Sequence, residues 1–308
     1  MGKGTDTGVA ASGRLIGITR LLLTHTDLDG TGGAVVWSVA TSAPYRLVEN
    51  GEIDAAVVAA LGEADEVVLA DHSVSWDLVP AIEAHIAAGR RFTMLDHHKS
   101  AIGLATHPWA TVDLARSGTG LLYDFVGRPA AVADFAKLVE DHDLWLHSDP
   151  RSAQLAALLG LLGHDRFIER FTRDPRVEFT EGELLLMEVE SRRRDDYIER
   201  KLAQAEVVAR GGRRWAICFA EQYQSDLAEA LMERLGVAAT AIVNASRATV
   251  SLRGRDVDVS VIARRFGGGG HARAAAFSAA GKPLEQGLVD FREALVEALS
   301  SPRHAGGG

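Results

Sequence analysis

Leu21-Leu22-Leu23 runs into Thr24-His25-Thr26-Asp27-Leu28-Asp29-Gly30, Val67-Val68-Leu69-Ala70 into Asp71-His72-Ser73, and Phe92-Thr93-Met94-Leu95 into Asp96-His97-His98-Lys99. Short β-prone runs of this kind, alternating with helical stretches, predict a mainly parallel sheet with helices on its faces. In open α/β sheets ligands bind outside the carboxyl ends of the strands, so these strand ends are expected to deliver their acids and imidazoles to one rim. A lone Asp after a strand is ordinarily a turn or a helix N-cap. His25, Asp27, Asp29, Asp71, Asp96, His97 and His98 gathered on one rim point to a site instead.

Outward from these runs, the chain of 308 residues has room for two domains. The expected fold class is α/β: an N-terminal doubly wound, mainly parallel sheet domain over 19–149, a helical linker over 150–211, and a smaller C-terminal α/β domain over 212–300. Residues 45–48 add a strand to the first sheet. The stretch 150–210 carries helical periodicity without strand signals, and its charged part, 188–201, reads as a solvated connecting helix. After Gly211-Gly212 strands return at 214–219, 240–243, 249–252 and 274–278, with a helix over 224–235. Residues 1–18 read as a loose arm and 300–308 as a frayed tail.

Composition narrows the function classes. Residues of the AVILMFWYC set make up 47% and charged residues 24%, which argues against a disordered or fibrous chain. With 33 Lys and Arg against 42 Asp and Glu, the formal charge of −9 disfavours a protein that grips long nucleic acid through its phosphates. Cys218, the single cysteine, excludes an intramolecular disulfide and a Cys-rich zinc site, and within the apolar run 215–219 it is expected in a core, in a reducing compartment. The longest apolar run, 155–162, is far short of the roughly 20 residues of a membrane span. The N-terminus lacks an apolar signal core, and Asp6 stands where a myristoylation signal wants Ser or Thr. A cytoplasmic enzyme or binding protein is the expectation.

Carboxylates crowded into one crevice repel one another, and shared protons or divalent cations are the usual remedies. Imidazole mixed with several carboxylates suits Mn²⁺, with Mg²⁺, Co²⁺ and Zn²⁺ as alternatives, and two such ions about 3.5 to 4 Å apart are a common arrangement for phosphoester hydrolysis. Leu138-Val139-Glu140-Asp141-His142-Asp143-Leu144-Trp145 offers a further carboxylate near the end of a helical segment, where an acid opposes the helix dipole unless a positive group faces it. Asp141 and Asp143 both fit that role, and a solvated acidic turn is the alternative for either. Near the other end of the chain, Gly267-Gly268-Gly269-Gly270 follows a short helical stretch, 259–266. Without Cβ atoms its backbone N–H groups can approach a phosphate, and His271 and Arg273 add donors; the competing reading is a flexible hinge. Arg253 is a third donor or a surface arginine. Lys99 and Ser100 touch the scissile phosphate or start a helix. Arg116-Ser117-Gly118-Thr119-Gly120 binds a phosphate oxygen or contains an ordinary N-cap at Ser117.

The string His25-x-Asp27-x-Asp29-Gly30, the isolated Asp71, the triplet Asp96-His97-His98 and the later Asp143 resemble the four motifs of the DHH phosphoesterase superfamily, which includes RecJ-type exonucleases, nano-RNases and family II pyrophosphatases. The stretch 267–275, preceded by Val250-Ser251-Leu252-Arg253, resembles the DHH-associated substrate-binding domain. The resemblance covers 21–299 and is nearest to the nano-RNase, NrnB-type branch. It implies that Asp27, Asp29, Asp71, His97 and Asp143 ligate two divalent ions, Mn²⁺ or else Mg²⁺, with Asp71 bridging and His25 joining the first ion or standing behind it. The Asp-x-Trp at 143–145 selects Asp143 over Asp141. His25 departs from the pyrophosphatase-type pattern, which puts three residues between its His and Asp. In such a site His98, the second imidazole of the triplet, is placed to contact the phosphoryl group or protonate the leaving alkoxide, and Arg253, Gly269, Gly270, His271 and Arg273 are expected to bind substrate in a cleft closed by the two domains. The expected function is metal-dependent hydrolysis of short oligonucleotides to mononucleotides. The rivals are a hydrolase of 3′-phosphoadenosine 5′-phosphate, pyrophosphate or polyphosphate, a catalytically silent nucleotide sensor, and a RecJ-type long-strand exonuclease, which wants a further nucleic-acid-binding domain. Residues 287–299 and the linker helix are available to a homodimer, and the pattern does not choose.

Overall fold

The computed structural model describes residues 20–210, 213–255 and 257–278. The arm over 1–18, the pair Gly211-Gly212, the dimer candidate 287–299 and the tail 300–308 lie outside the described residues. The chain divides into two compact units, Met1–Met187 and Glu188–Gly308.

In the first unit the order is β1 (Arg20–His25), α1 (Leu28–Thr41), β2 (Tyr45–Val48), α2 (Ile53–Glu63), β3 (Glu66–Ala70), α3 (Val79–Ala87), β4 (Arg91–Asp96), β5 (Ala110–Val112), α4 (Gly118–Phe125), α5 (Ala133–Asp143) and α6 (Pro150–Arg173); α7 (Glu181–Gln204) then leads from this unit into the second. The strands lie in the order β2-β1-β3-β4-β5, every neighbouring pair parallel. A parallel sheet covered on both faces must be apolar on both, which is why its strands read as unbroken apolar runs. Leu23, Leu69 and Met94 pack on one side with Val57 of α2 and Ile82 of α3, and Leu22, Val68 and Leu95 on the other with Trp37 of α1 and Leu122 of α4. The strand order turns back between β1 and β3, so the crevice for a ligand opens at their carboxyl ends.

The stretch expected as a linker behaves differently in its parts. The helix α6 buries Leu155, Leu158, Phe167 and Phe171 with Val35 of α1 and Phe135 of α5, and the Phe135 and Phe171 rings are 4.8 Å apart. It therefore belongs to the core of the first unit, because its apolar stripe needs a partner that a solvated linker would not offer. The charged α7 has Ile198 as its one buried residue among those described, as a solvated helix should.

The second unit holds β6 (Glu206–Arg210), β7 (Arg213–Phe219), α8 (Gln224–Leu235), β8 (Ala239–Asn244), β9 (Thr249–Gly254), α9 (Val259–Arg265), β10 (Gly269–Gly270) and β11 (Ala274–Ser278). Their order is β10-β11-β9-β8-β7-β6, with β7 and β8 parallel and the other neighbours antiparallel. Cys218 is core, packed with Leu227 and Leu231 of α8, while Ile262 of α9 covers Leu252 and Phe277 on the opposite face. The strands β5, β6 and β10 carry little signal in the sequence. Two are only two or three residues long, and β6 begins with Glu206 and ends with Arg210, which hide its pattern. Among the described residues no helix is long and apolar enough to cross a membrane.

Candidate metal centre

Between β1 and α1 the chain turns on Asp27, which caps the helix: its Oδ1 accepts from Gly30 N at 2.9 Å, leaving Oδ2 3.0 Å from His25 Nδ1. Two residues later Asp29 is buried, and the start of α4 meets it, with Gly118 N donating to Oδ2 at 2.6 Å and Thr119 N to Oδ1 at 2.9 Å. Burial pushes the Asp29 carboxyl up, against the Thr119 amide and the His97 imidazole, which favour its charged form.

Asp71 leaves β3 with φ 56°, a left-handed conformation uncommon for a residue with a side chain. Its N–H donates to Leu95 O at 2.9 Å, and its carboxylate is buried. A Cβ on Gly118 would lie 2.4 Å from Asp71 Cβ, so the close approach of α4 to this turn requires glycine there. Burial, then the charges of Asp29 and Asp27, hold Asp71 well above the usual carboxylate range.

Asp96 ends β4 fully buried, and its Oδ1 accepts from His97 N at 2.8 Å and from His98 Nδ1 at 2.7 Å. Burial alone would raise its pKa, but the hydrogen bonds from His98 and the two backbone amides outweigh it and keep Asp96 ionised below the ordinary value. Asp96 thus anchors the turn that carries the two histidines. His97 faces inward, with Nε2 3.3 Å from Asp71 Oδ1 and 3.8 Å from Asp29 Oδ2, and Nδ1 3.6 Å from Asp143 Oδ2. His98 is half-exposed, and its bond to Asp96 raises its pKa.

Asp143 closes the group from the end of α5. Burial, then Asp29 and Asp27, push its carboxyl up to about 7. Asp141, two residues earlier, serves another purpose: its carboxylate accepts from Ser148 N at 2.9 Å and from Ser148 Oγ, which hold it down at about 2 and tie the following loop to the helix.

Three sets of potential ligands have their atoms within 4.8 Å of one another: His25, Asp27 and Asp71; Asp29, His97 and Asp143; and Asp71, His97 and His98. Asp71 stands in two of them, between the two ends of the cluster. Its Oδ2 and the Oδ2 of Asp143 are buried without hydrogen-bond partners among the described residues. Carboxylate oxygens unpartnered among the described residues, raised pKa values and imidazoles set among the carboxylates together form a donor set that suits hard divalent cations. All six residues expected as ligands, His25, Asp27, Asp29, Asp71, His97 and Asp143, meet here.

The segment 116–120 does not offer itself to a phosphate. The amides of Gly118 and Thr119 face Asp29, Ser117 Oγ accepts from Gly120 N at 3.0 Å as an ordinary N-cap, and Arg116 pairs with Asp124 and Glu140. Lys99 and Ser100 are exposed at the start of a 3₁₀ stretch, Lys99–Thr106. Sequence reasoning did not single out His72, whose ring lies 5.1 Å from that of His25 and whose Nε2 is buried without a partner among the described residues. Its position directly after Asp71 was the available signal.

In the second unit the glycine string is a strand edge. A Cβ on Gly268 would fall 2.1 Å from Ala276 O, and Gly270 takes φ 133°. Both are required for β10 to lie against β11, whereas Gly269 faces open space. The turn into β11 closes with His271 N donating to Ala274 O at 2.7 Å and carries the exposed His271 and Arg273. Arg253 is opposite Ala274 in register, so the three basic side chains expected to bind substrate lie at one end of this sheet. Arg253 Nη2 also donates to Ser225 Oγ at 3.2 Å.

Residues 223–301 match the DHHA1 domain. The chain is 29% identical over 287 residues to oligoribonuclease NrnB of Bacillus subtilis strain 168, a match that covers 83% of this chain and 72% of that protein. Its structure is similar to the pGpG-specific phosphodiesterase PggH of Vibrio cholerae, with a TM-score of 0.58, 12% identity and coverage of 91% of this chain and 98% of the other. It is also similar to RecJ in complex with Mn²⁺ from Thermus thermophilus, with a TM-score of 0.55, 15% identity and coverage of 92% of this chain but 52% of the other. At such identities the structural likeness is one of fold.

Proposed function

We propose that this chain, which joins a DHHA1 domain to the fold that PggH and RecJ share, is a cytoplasmic, metal-dependent phosphodiesterase that hydrolyses short oligonucleotides to mononucleotides. The observation that carries the reading is Asp71, a buried carboxylate with one oxygen unpartnered among the described residues, standing in two sets of ligand-type side chains. His25, Asp27 and Asp71 would hold one divalent ion and Asp29, His97 and Asp143 a second, with Asp71 shared and Mn²⁺ or Mg²⁺ as the ion. Bound there, such ions supply a water acidified to a nucleophile and neutralise charge on the scissile phosphate. NrnB and PggH, whose names specify short nucleotide substrates, support the substrate class.

The chain's own residues do the positioning. The Gly118 and Thr119 amides fix the orientation of Asp29, and the tight turn at Asp71 directs its carboxylate into the crevice. Asp96 fixes the His98 ring through Nδ1 and favours its protonated form, so His98 can hold a proton towards a phosphoryl or leaving oxygen. His271, Arg273 and Arg253, with backbone N–H groups at Gly269 and Gly270, bind a substrate phosphate away from the scissile one. Every ligand type is present, which speaks against a silent sensor.

The test is turnover by purified protein with Mn²⁺ on a panel of a dinucleotide, a longer oligomer, pyrophosphate and 3′-phosphoadenosine 5′-phosphate. The dinucleotide should be preferred, chelation should abolish turnover, and Asp71→Asn should lower kcat by roughly three orders of magnitude or more, since a charge shared by both ions is lost. Preference for pyrophosphate or 3′-phosphoadenosine 5′-phosphate would move the protein to the phosphatase reading. Full activity of Asp71→Asn after chelation would sink the metal mechanism.

A further inference from the structure

Helix α5 ends at Asp143 in a way that ordinarily calls for glycine. Trp145 N donates to His142 O at 3.1 Å and Leu146 N to Asp141 O at 3.0 Å, the paired bonds of a Schellman termination. The residue at the centre of that motif must adopt left-handed backbone, and Trp145 does so with φ 57°. Glycine takes this conformation without strain, while a bulky side chain there is an outlier.

Burial does not offset the strain, because Trp145 is 74% exposed and Leu146 beside it 61%. Trp145 has ring contacts with His147 at 4.4 Å and with His142 at 6.3 Å, the latter being the residue before the candidate ligand Asp143. The loop that displays the indole is itself held in place, since buried Asp141 accepts from Ser148 N and Asp149 N. Trp76, also exposed, differs in being packed over Gly103. A large flat ring is thus kept in water, on strained but well-tied backbone, two residues from a side chain of the metal cluster. Strain retained at such a place indicates function, and what an exposed indole recognises best is another flat ring.

We propose that Trp145 is a stacking platform for a nucleobase of the substrate whose phosphodiester sits at the Asp71, His97 and Asp143 cluster. This inference rests on the phosphodiesterase reading. Stacking tolerates any base, so the platform would grip a nucleotide without reading its identity. It would confer selectivity for nucleotides over phosphate esters that lack a base.

The experiment compares wild type with Trp145→Gly, Trp145→Ala and Trp145→Phe on a dinucleotide and on its abasic counterpart, with Mn²⁺. In the Gly and Ala variants the preference for the base-bearing substrate should fall by about 10- to 100-fold, mostly through KM, and Phe should restore most of it. The Tm of Trp145→Gly should equal or exceed that of wild type, which a structural role for the indole would not allow. Tryptophan fluorescence should be quenched by a mononucleotide in wild type and not in Trp145→Phe. An unchanged preference in Trp145→Ala would overturn the proposal, as would a loss of self-association in that variant with dinucleotide kinetics intact. Inactivity of wild type on every nucleotide would defeat the phosphodiesterase reading, while the fluorescence titration would still decide whether Trp145 binds a base.

Discussion

Asp71 and Asp143 are poised against the fold that contains them. Burial comes first among the causes that raise both carboxyls, followed by the charges of Asp29 and Asp27, and Asp143 reaches about 7 from an ordinary 3.8. A carboxyl whose pKa is raised on folding adds stability below its unfolded pKa, and that stability is lost as pH rises through the folded pKa. Metal-free protein should therefore lose Tm as pH rises from about 4 through about 7, and Mn²⁺ should restore it, since a cation favours the ionised forms. Asp71→Asn removes one of the repelling charges. Its metal-free Tm at about pH 8 should exceed that of wild type, and its response to Mn²⁺ should shrink, so stability and activity move in opposite directions. Thermal scans of both proteins with and without chelator measure this, and a metal-free wild-type Tm that is flat over the whole range contradicts it.

At the scale of elements, the β10–β11 hairpin separates two reasons for glycine that a string of four would otherwise confound. Gly268 is a packing requirement, because a Cβ there meets Ala276 O, and Gly268→Ala should destabilise the second unit by about 1 to 3 kcal/mol. Metal binding by the first-unit cluster should be unaffected. Gly269 faces open space, so Gly269→Ala should change stability by no more than about 0.5 kcal/mol. A rise in KM for the Gly269 variant at unchanged Tm would then report close approach of a substrate to that backbone. Calorimetry, metal titration and steady-state kinetics on the two variants read these outcomes separately, and equal effects on Tm would contradict the distinction.

For the whole molecule, the proposed function and the net charge together predict a preference for short substrates. With a formal charge of −9, a long phosphate backbone would meet a mostly repulsive surface beyond the proposed donors Arg253, His271 and Arg273. Oligomers of about two to five nucleotides should turn over fastest, with little gained per added phosphate. The measurement is kcat/KM for a dinucleotide, a pentamer and a 24-mer of one composition at moderate salt. Processive degradation of the 24-mer with equal efficiency would return the protein to the long-strand exonuclease reading.

The amino-acid sequence by itself determined the parallel sheet and its rim of acids and imidazoles, because a strand buried on both faces must be an apolar run and whatever follows it must lie at its carboxyl end. His25, Asp27, Asp29, Asp71 and His97 could be placed on that rim for this reason, whereas Asp143 stands at the end of a helix and was singled out by its resemblance to a family motif. The choice between Asp141 and Asp143 follows from the helix that carries them, where residues two apart point about 200° from each other and only the neighbours tell which side meets His97 and which meets Ser148. Contacts between distant parts of the chain were likewise closed to sequence reasoning. The Gly118 and Thr119 amides reach Asp29 across some ninety positions, and α6 enters the first core because Phe167 and Phe171 find Phe135. Local pattern encodes what a segment must bury, while tertiary structure decides which partner, out of many chemically acceptable ones, it is buried against.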